Sequence, residues 1–282
     1  MKTLILVVLY NKRLEKSKTL NSLGKVAGEG FSLLIVNNGP SDIREDDDFI
    51  LNARLYIKEL KLQNFIHNKP LSHIYNDVID QYPDFDRYVL LDDDTEVTHE
   101  FLEVPEVDSK DLFVTVPKII DSNTGLNSYP LVNKEVYKFG DGFLPTTEEV
   151  LSIGSGIIIY KQTAVIFESL GLDLFNPNFA LYGVDMSFFR EINFINKNIG
   201  LVSVYVKGSL IHEMSSTSGE VSAWRKTERL YDELLTNIYY SKSTSLKIYK
   251  LIRLLTRELL RLRLTNFYKA ILVLFTKKHP RC

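Results

Sequence analysis

One cysteine, one tryptophan and three methionines stand among 282 residues. The lone thiol, Cys282, excludes a disulfide scaffold and a cysteine-rich zinc site, and it suits a reducing compartment. No apolar run approaches the roughly 18–20 residues that a membrane-spanning helix needs. Ala270–Phe275 is among the longest such runs. Met1-Lys2 followed by Leu4–Tyr10 imitates a secretion signal. The run is short, however, Asn11-Lys12-Arg13 follows at once, and no small-residue cleavage site is present. We read Thr3–Tyr10 as a first strand buried on both faces. Glycine-rich phosphate loops are missing in both the G-x-G-x-x-G and the G-x-x-x-x-G-K forms. A nucleotide would therefore be held through a metal and side chains. The G-x-S-x-G elbow is also missing, which argues against an α/β-hydrolase.

What is present describes a folded protein. Hydrophobic residues make up 45% and charged residues 25%, ordinary for a globular chain and incompatible with disorder. The length suits two domains or one large α/β domain with an appendage. The net charge of −2 hides a division. From Leu246 to Cys282 ten basic residues face a single acid, Glu258, so this segment carries +9 and the preceding 245 residues carry −11. The acidic body does not suit nucleic acid, whereas the basic segment suits an anionic surface.

Strand and helix signals alternate over the first 120 residues. Apolar runs at Thr3–Tyr10, Phe31–Val36, Tyr88–Leu91 and Leu112–Val116 read as strands, with Arg54–Leu60 a weaker candidate. A polar helical stretch covers about Leu14–Val26. Leu71, Ile74, Tyr75, Val78, Ile79 and Tyr82 recur at helical spacing, with Pro70 in the first turn and Pro83 past the end. Asp121–Val150 reads as loops with short strands. Ile157–Tyr160 and Leu201–Val206 are further strands, Met186–Asn196 is a helix, and helices fill the chain from Ser222. This order predicts an α/β fold with a mostly parallel, doubly wound sheet and a C-terminal helical extension. In such sheets ligands gather at the carboxyl ends of the strands. Two polar clusters fall there: Asn37-Asn38 and Asp92-Asp93-Asp94.

Three adjacent carboxylates repel one another unless a cation or hydrogen-bond donors compensate. Asp92–Asp94 is thus a candidate site for Mg²⁺ or Mn²⁺, or an acidic turn that caps a helix. Asp46-Asp47-Asp48 has the same composition without a preceding strand and reads as a solvated loop. Asp185, at the start of a helix, either caps it or acts as a general base among Phe179, Tyr182 and Phe188. His212 is either a structural histidine or a ligand that completes a metal site with Asp94.

Taken together, these segments resemble the family 2 glycosyltransferases of GT-A fold, in particular their bacterial rhamnosyltransferase-like branch. The likeness is carried in order by Val7–Asn11, Leu34–Asp42, Asn68–Asn76, Leu91–Asp94, Gly154-Ser155-Gly156, Gly171–Arg190 and Ile211-His212. Pro70 replaces a usual glycine, and Val184 and Ser187 flank Asp185 in a segment that usually carries two acids. The resemblance implies a donor site that includes Leu9, Asn38, Asn76, Asp92 and Asp93, with Asn38 at the nucleotide base. It implies a Mn²⁺ or Mg²⁺ ion on Asp94 and His212, and Asp185 as the base that deprotonates the acceptor hydroxyl. The donor would be a nucleoside-diphosphate sugar, dTDP-rhamnose or a UDP-hexose. The acceptor would be a saccharide or lipid-linked saccharide of bacterial surface-polysaccharide assembly. Residues 1–220 would form the catalytic domain and 221–282 the helical extension. Lys247, Lys250, Arg253, Arg257 and Arg261 would form a basic helical stripe in 246–282. That stripe predicts a cytoplasmic enzyme peripheral to the inner face of the cell membrane, either monomeric or a homo-oligomer. Its alternatives are a helix packed on the catalytic domain, a nucleotidyltransferase, and an inactive scaffold of the same fold.

Overall fold

The computed structural model describes residues 1–26, 30–57, 59–213 and 222–282. The expected boundary at 220–221 falls outside them. The helices are α1 (Lys18–Val26), α2 (Asp48–Ala53), α3 (Leu71–Gln81), α4 (His99–Leu102), α5 (Lys161–Ser169), α6 (Val184–Asn198), α7 (Ala223–Tyr240), α8 (Thr244–Leu260) and α9 (Leu264–Thr276). The main strands are β1 (Thr3–Leu9), β2 (Phe31–Asn37), β3 (Glu59–Asn64), β4 (Arg87–Asp92) and β5 (Val114–Asp121). Short strands follow: β6 (Asn127–Tyr129), β7 (Leu131–Val132), β8 (Glu135–Val136), β9 (Gly142–Leu144), β10 (Val150–Leu151) and β11 (Ile157–Tyr160). β12 (Val204–His212) closes the set.

The central sheet runs β3-β2-β1-β4-β11-β5-β12-β9, with β6 on β5. β1 to β4 are parallel, and β12 is parallel to β5. β11 alone among the inner strands is reversed, antiparallel to both β4 and β5. Successive residues of β1 serve opposite faces, as the period of a strand requires. Leu4, Leu6 and Val8 join a core with α3, α6 and α7. Ile5, Val7 and Leu9 join a second core with α1, α2 and Phe101. Leu254 of α8 and Ala270 and Val273 of α9 enter the first core, so the C-terminal helices share the interior of the sheet domain.

Several expected bounds shift, among them Leu201–Val206, where the strand β12 begins at Val204 and runs on to His212. Arg54–Leu60 is not a strand: α2 ends at Ala53, a turn follows, and β3 begins at Glu59. Ile50, Ala53 and Ile57 are buried at helical spacing, and Asp47 caps α2 by accepting from the Phe49 N–H at 2.9 Å. Asp185 does not precede α6 but lies in its first turn; Gly183 is the cap residue.

The order β3-β2-β1-β4 places a switch of direction between β1 and β4, the usual site of a crevice. The register pairs Leu9 with Asn37, and Val8 with Asp92. Both polar clusters therefore reach the same sheet edge on either side of β1.

Candidate active site

Two cavities open at this edge. The first, of about 870 Å³, is lined by Asn11, Lys12, Asn37, Gly39, Pro40 and the Ser41–Asp48 loop. The second, of about 650 Å³, is lined by Asp92, Asp94, Asp185, His212 and Tyr75, and by Arg229, Asp232 and Glu233 of α7. Lys12 of the first cavity forms an ion pair with Asp93, between the two acids of the second.

The Asp92–Asp94 turn is held from three sides. Thr19 Oγ1 donates to the Asp92 carbonyl, and Ser17 Oγ donates to the Asp93 carbonyl at 2.9 Å. The Asp92 N–H donates to Ser155 Oγ at 3.1 Å. Ser155 reaches this edge because β11 is reversed, so the strand begins where its neighbours end. Thr95 Oγ1 lies 2.6 Å from Ser155 Oγ and 2.9 Å from His212 Nδ1. The same ring nitrogen lies 3.1 Å from Asp94 Oδ1. His212 Nε2 has no protein partner among the described residues.

One ligand-type atom each from Asp92, Asp94 and His212 lies within 4.8 Å of the others. Asp94 Oδ1 is buried without a hydrogen bond of ordinary geometry. Burial, with Asp94, Asp93 and Asp185 nearby, outweighs the pull of His212 and pushes Asp92 up to about 7. Burial works against charge on Asp94 too, but His212 and Lys12 more than offset it and hold its pKa below the usual value. Burial likewise lowers His212, and Asp94 and Asp92 reverse this into a net rise. An Asp94 oxygen met only by the His212 ring, crowded carboxylates and an imidazole together fit a divalent cation with oxygen and nitrogen ligands.

Asp185 faces this cluster from α6. Its Oδ2 accepts from the Gly154 N–H at 3.0 Å and its Oδ1 from the Met186 N–H at 2.8 Å. Burial raises its pKa, although these N–H groups and Arg190 pull the other way. Tyr75 lines the same cavity: burial, then Asp92 and Asp185, push its phenol well up.

The remaining expected donor residues lie elsewhere. The Leu9 side chain is wholly buried in the second core, and its carbonyl accepts from the Asn38 N–H at 2.7 Å. Asn38 is buried behind the first cavity, its amide donating to Lys69 O at 2.9 Å, with Oδ1 unpartnered. Asn76 is engaged by the Phe175 backbone, donating to its carbonyl at 2.8 Å and accepting from its N–H at 3.0 Å. The structure thus brings Asp92, Asp93, Asp94, Asp185 and His212 together, and gives Leu9 and Asn76 packing and bracing contacts instead. Asp46 pairs with Arg44 at 2.6 Å, and this acidic run lies on the exposed side of the first cavity.

Sequence reasoning missed Lys12, Thr95 and Asp232, and gave Ser155 no role beyond its small-residue block. Asp232 has the most consequence. Gly183 has φ +81°, and a Cβ on it would fall 2.2 Å from Asp232 Oδ1 and 2.8 Å from the Phe179 ring. Asp232 therefore packs onto the turn that starts α6. Thr236 Oγ1 donates to it at 3.1 Å, and Arg190 Nη1 donates to Thr236 at 3.2 Å. Burial raises Asp232 to about 6 against the pull of Arg190 and Thr236, with Asp185 and Glu233 adding to the rise. It supplies a second carboxylate near Asp185, whose own segment offers Val184 and Ser187 instead of another acid.

No family model matches the chain, and no curated protein matches it by sequence. Solved structures do match. TarS of S. aureus aligns with a TM-score of 0.55 at 17% identity, over 92% of this chain and 43% of TarS. TarS 1–349 in complex with UDP-GlcNAc gives 0.55 at 16%, over 92% of this chain and 72% of that one. GalNAc-T7 with UDP, GalNAc and Mn²⁺ gives 0.52 at 13%, over 88% and 53%. The chain thus spans less than half of TarS and about half of GalNAc-T7. These likenesses define the fold as GT-A, the mixed α/β fold with a mostly parallel sheet expected from the sequence.

Proposed function

We propose that this chain is a metal-dependent, inverting glycosyltransferase that uses a nucleoside-diphosphate sugar. The observation that carries the reading is the cluster of Asp92, Asp94 and His212 at the β1/β4 switch, opposite Asp185. UDP is the first nucleotide to test, because TarS and GalNAc-T7 hold UDP or UDP-GlcNAc; dTDP follows from the rhamnosyltransferase-like blocks. The nucleoside would occupy the first cavity, with Asn38 behind its base. Lys12 and Asp93 would meet the ribose and phosphates. Asp92 belongs to the same donor side, and Asp94 and His212 are the ion's ligands.

A bound Mn²⁺ or Mg²⁺ would stabilise, as a Lewis acid, the charge that builds on the leaving diphosphate. Asp185 takes the proton of the acceptor hydroxyl as that oxygen attacks the anomeric carbon and the nucleoside diphosphate leaves. A single displacement of this kind inverts the anomeric centre. The two N–H groups fix the Asp185 carboxylate, and burial makes it a stronger base than a surface aspartate. Residues 1–220 carry the donor and metal groups, while α7 closes the acceptor side with Asp232. The acceptor is a hydroxyl of a saccharide or lipid-linked saccharide, and surface-polysaccharide assembly is the setting that suits it.

Calorimetric titration with UDP, dTDP, GDP and CDP, each with Mn²⁺ and then with chelator, tests the reading. Binding of one nucleotide that disappears with chelator is expected. Absence of all four would sink it and favour an inactive scaffold of the same fold.

A further inference from the structure

The basic stripe expected on one helix face is divided in the fold. Lys247 turns inward and donates to the Ile238 carbonyl at 2.6 Å. Arg257 pairs with Glu233 at 2.9 Å and with Glu258 at 3.0 Å. The single acid of the segment, Glu258, is buried beneath Arg257 and Arg263. The outer face of the α8–α9 hairpin therefore exposes cations and no Asp or Glu side chain of the segment. Arg253 and Arg261 stand on it, with Lys277 and Lys278 at its far end, where Lys278 Nζ donates to the Cys282 O at 3.1 Å.

Between these cations lies an apolar surface. Ile248, Ile252 and Leu260 of α8 point outward, as do Tyr268 and Phe275 of α9. Leu260, Leu262 and Phe275 are 78%, 82% and 82% exposed. Leu262, at the tip between the helices, also has φ +54°, a conformation that bulky side chains avoid. An apolar face of this extent needs a covering. The inner faces are already used: Leu254, Ala270 and Val273 pack into the sheet core.

We infer that the outer face of the α8–α9 hairpin is a docking surface for an anionic lipid bilayer, with Leu260, Leu262 and Phe275 entering the headgroup–acyl boundary. Charge decides between a bilayer and a second copy of the chain. Two such faces brought together would oppose arginine to arginine with no exposed acid between them, whereas anionic headgroups match every exposed cation. The helices lie on the surface: no described helix is long and apolar enough to cross a membrane. The inference does not depend on the proposed catalysis, and its test needs no nucleotide.

The full chain is sedimented with phosphatidylcholine vesicles, with and without phosphatidylglycerol, over a range of salt concentrations. Binding is expected only with phosphatidylglycerol and should weaken as salt rises. Removing one exposed cation, as in Arg253→Gln or Arg261→Gln, should weaken it about fivefold. Leu260→Ser with Leu262→Ser should weaken it more than about tenfold, without changing the melting temperature of these exposed sites. Equal binding to both vesicle types, or none, would overturn the inference. So would a wild-type dimer in solution that the leucine substitutions convert to monomer, because the face would then be covered by a second copy.

Discussion

Gly183→Ala tests whether the start of α6 and the α7 carboxylate are one packed unit. The added methyl must adopt φ +81° and would lie 2.2 Å from Asp232 Oδ1 and 2.8 Å from the Phe179 ring. A non-glycine residue in this region costs about 1–2 kcal/mol. Overpacking against a buried carboxylate and ring adds about 1–3 kcal/mol. The total, about 2–5 kcal/mol, lowers the melting temperature by roughly 5–15 °C. Gly125→Ala is the internal control. Gly125 has φ +68° with nothing within 4 Å of an added Cβ, so it bears the backbone term alone. Denaturant unfolding of both variants at neutral pH separates the two terms. Equal losses would refute the packing of Asp232 on Gly183. Asp94 and His212 sit on the turn after β4 and at the end of β12, and neither is among the atoms nearest the added methyl, so chelator-sensitive nucleotide binding should survive while transfer falls.

Asp94→Ala should reduce nucleotide binding with Mn²⁺ to the level seen with chelator; undiminished binding would remove Asp94 from the metal site. Asp185→Asn should leave nucleotide affinity intact and slow transfer by about 10²–10⁴-fold, the usual worth of a general base. Wild-type turnover would move the base elsewhere. Mn²⁺ affinity, followed by titration, should fall as the pH drops below about 7, because buried Asp92 takes up a proton there and its negative charge beside Asp94 and His212 is lost. A flat profile from pH 6 to 8, roughly the window set by that value, would contradict this. For Asp232 the sign runs the other way from a salt-bridged acid. Its folded pKa, about 6, lies above the ordinary 3.8, so its ionisation destabilises the fold as pH rises through that interval. Asp232→Asn should therefore stabilise the protein above pH 6 by up to about 3 kcal/mol, with the gain vanishing near pH 4. No gain in denaturant unfolding at high pH would refute it.

Burial on both faces made β1, β2 and β4 legible, and the spacing of Leu71 to Tyr82 did the same for α3. The strand-end position of Asp92–Asp94 was enough to separate it from Asp46–Asp48, which has the same composition. β3 was misplaced because Leu55, Ile57 and Leu60 scatter through a short segment that fits more than one period. The buried triplet Ile50, Ala53 and Ile57 shows which period won. Asn76 and Leu9 were assigned through their blocks, and only coordinates reveal that Phe175 and the second core occupy them. Asp232 had no local mark. It is a polar position on an amphipathic helix, and its partner is a glycine 49 positions away, so only tertiary packing identifies it.

The far end of the chain has a consequence for how the molecule is made. Arg281 Nη1 donates to Asn68 Oδ1 at 2.8 Å, a bond between residues 213 positions apart, and its Nη2 donates to Glu228 at 3.0 Å. His279 lies 3.3 Å from the same carboxylate. Asn68 in turn accepts from Asn38, behind the first cavity, at 3.3 Å. Contacts this distant in sequence form late, since loop closure must precede any gain from them. During synthesis, at about 5–20 residues per second, the sheet and the acidic turn can assemble many seconds before Arg281 leaves the ribosome. The wall behind the first cavity is therefore completed after the sheet, and a nascent chain can hold the folded Asp92–Asp94 turn while that wall is still open.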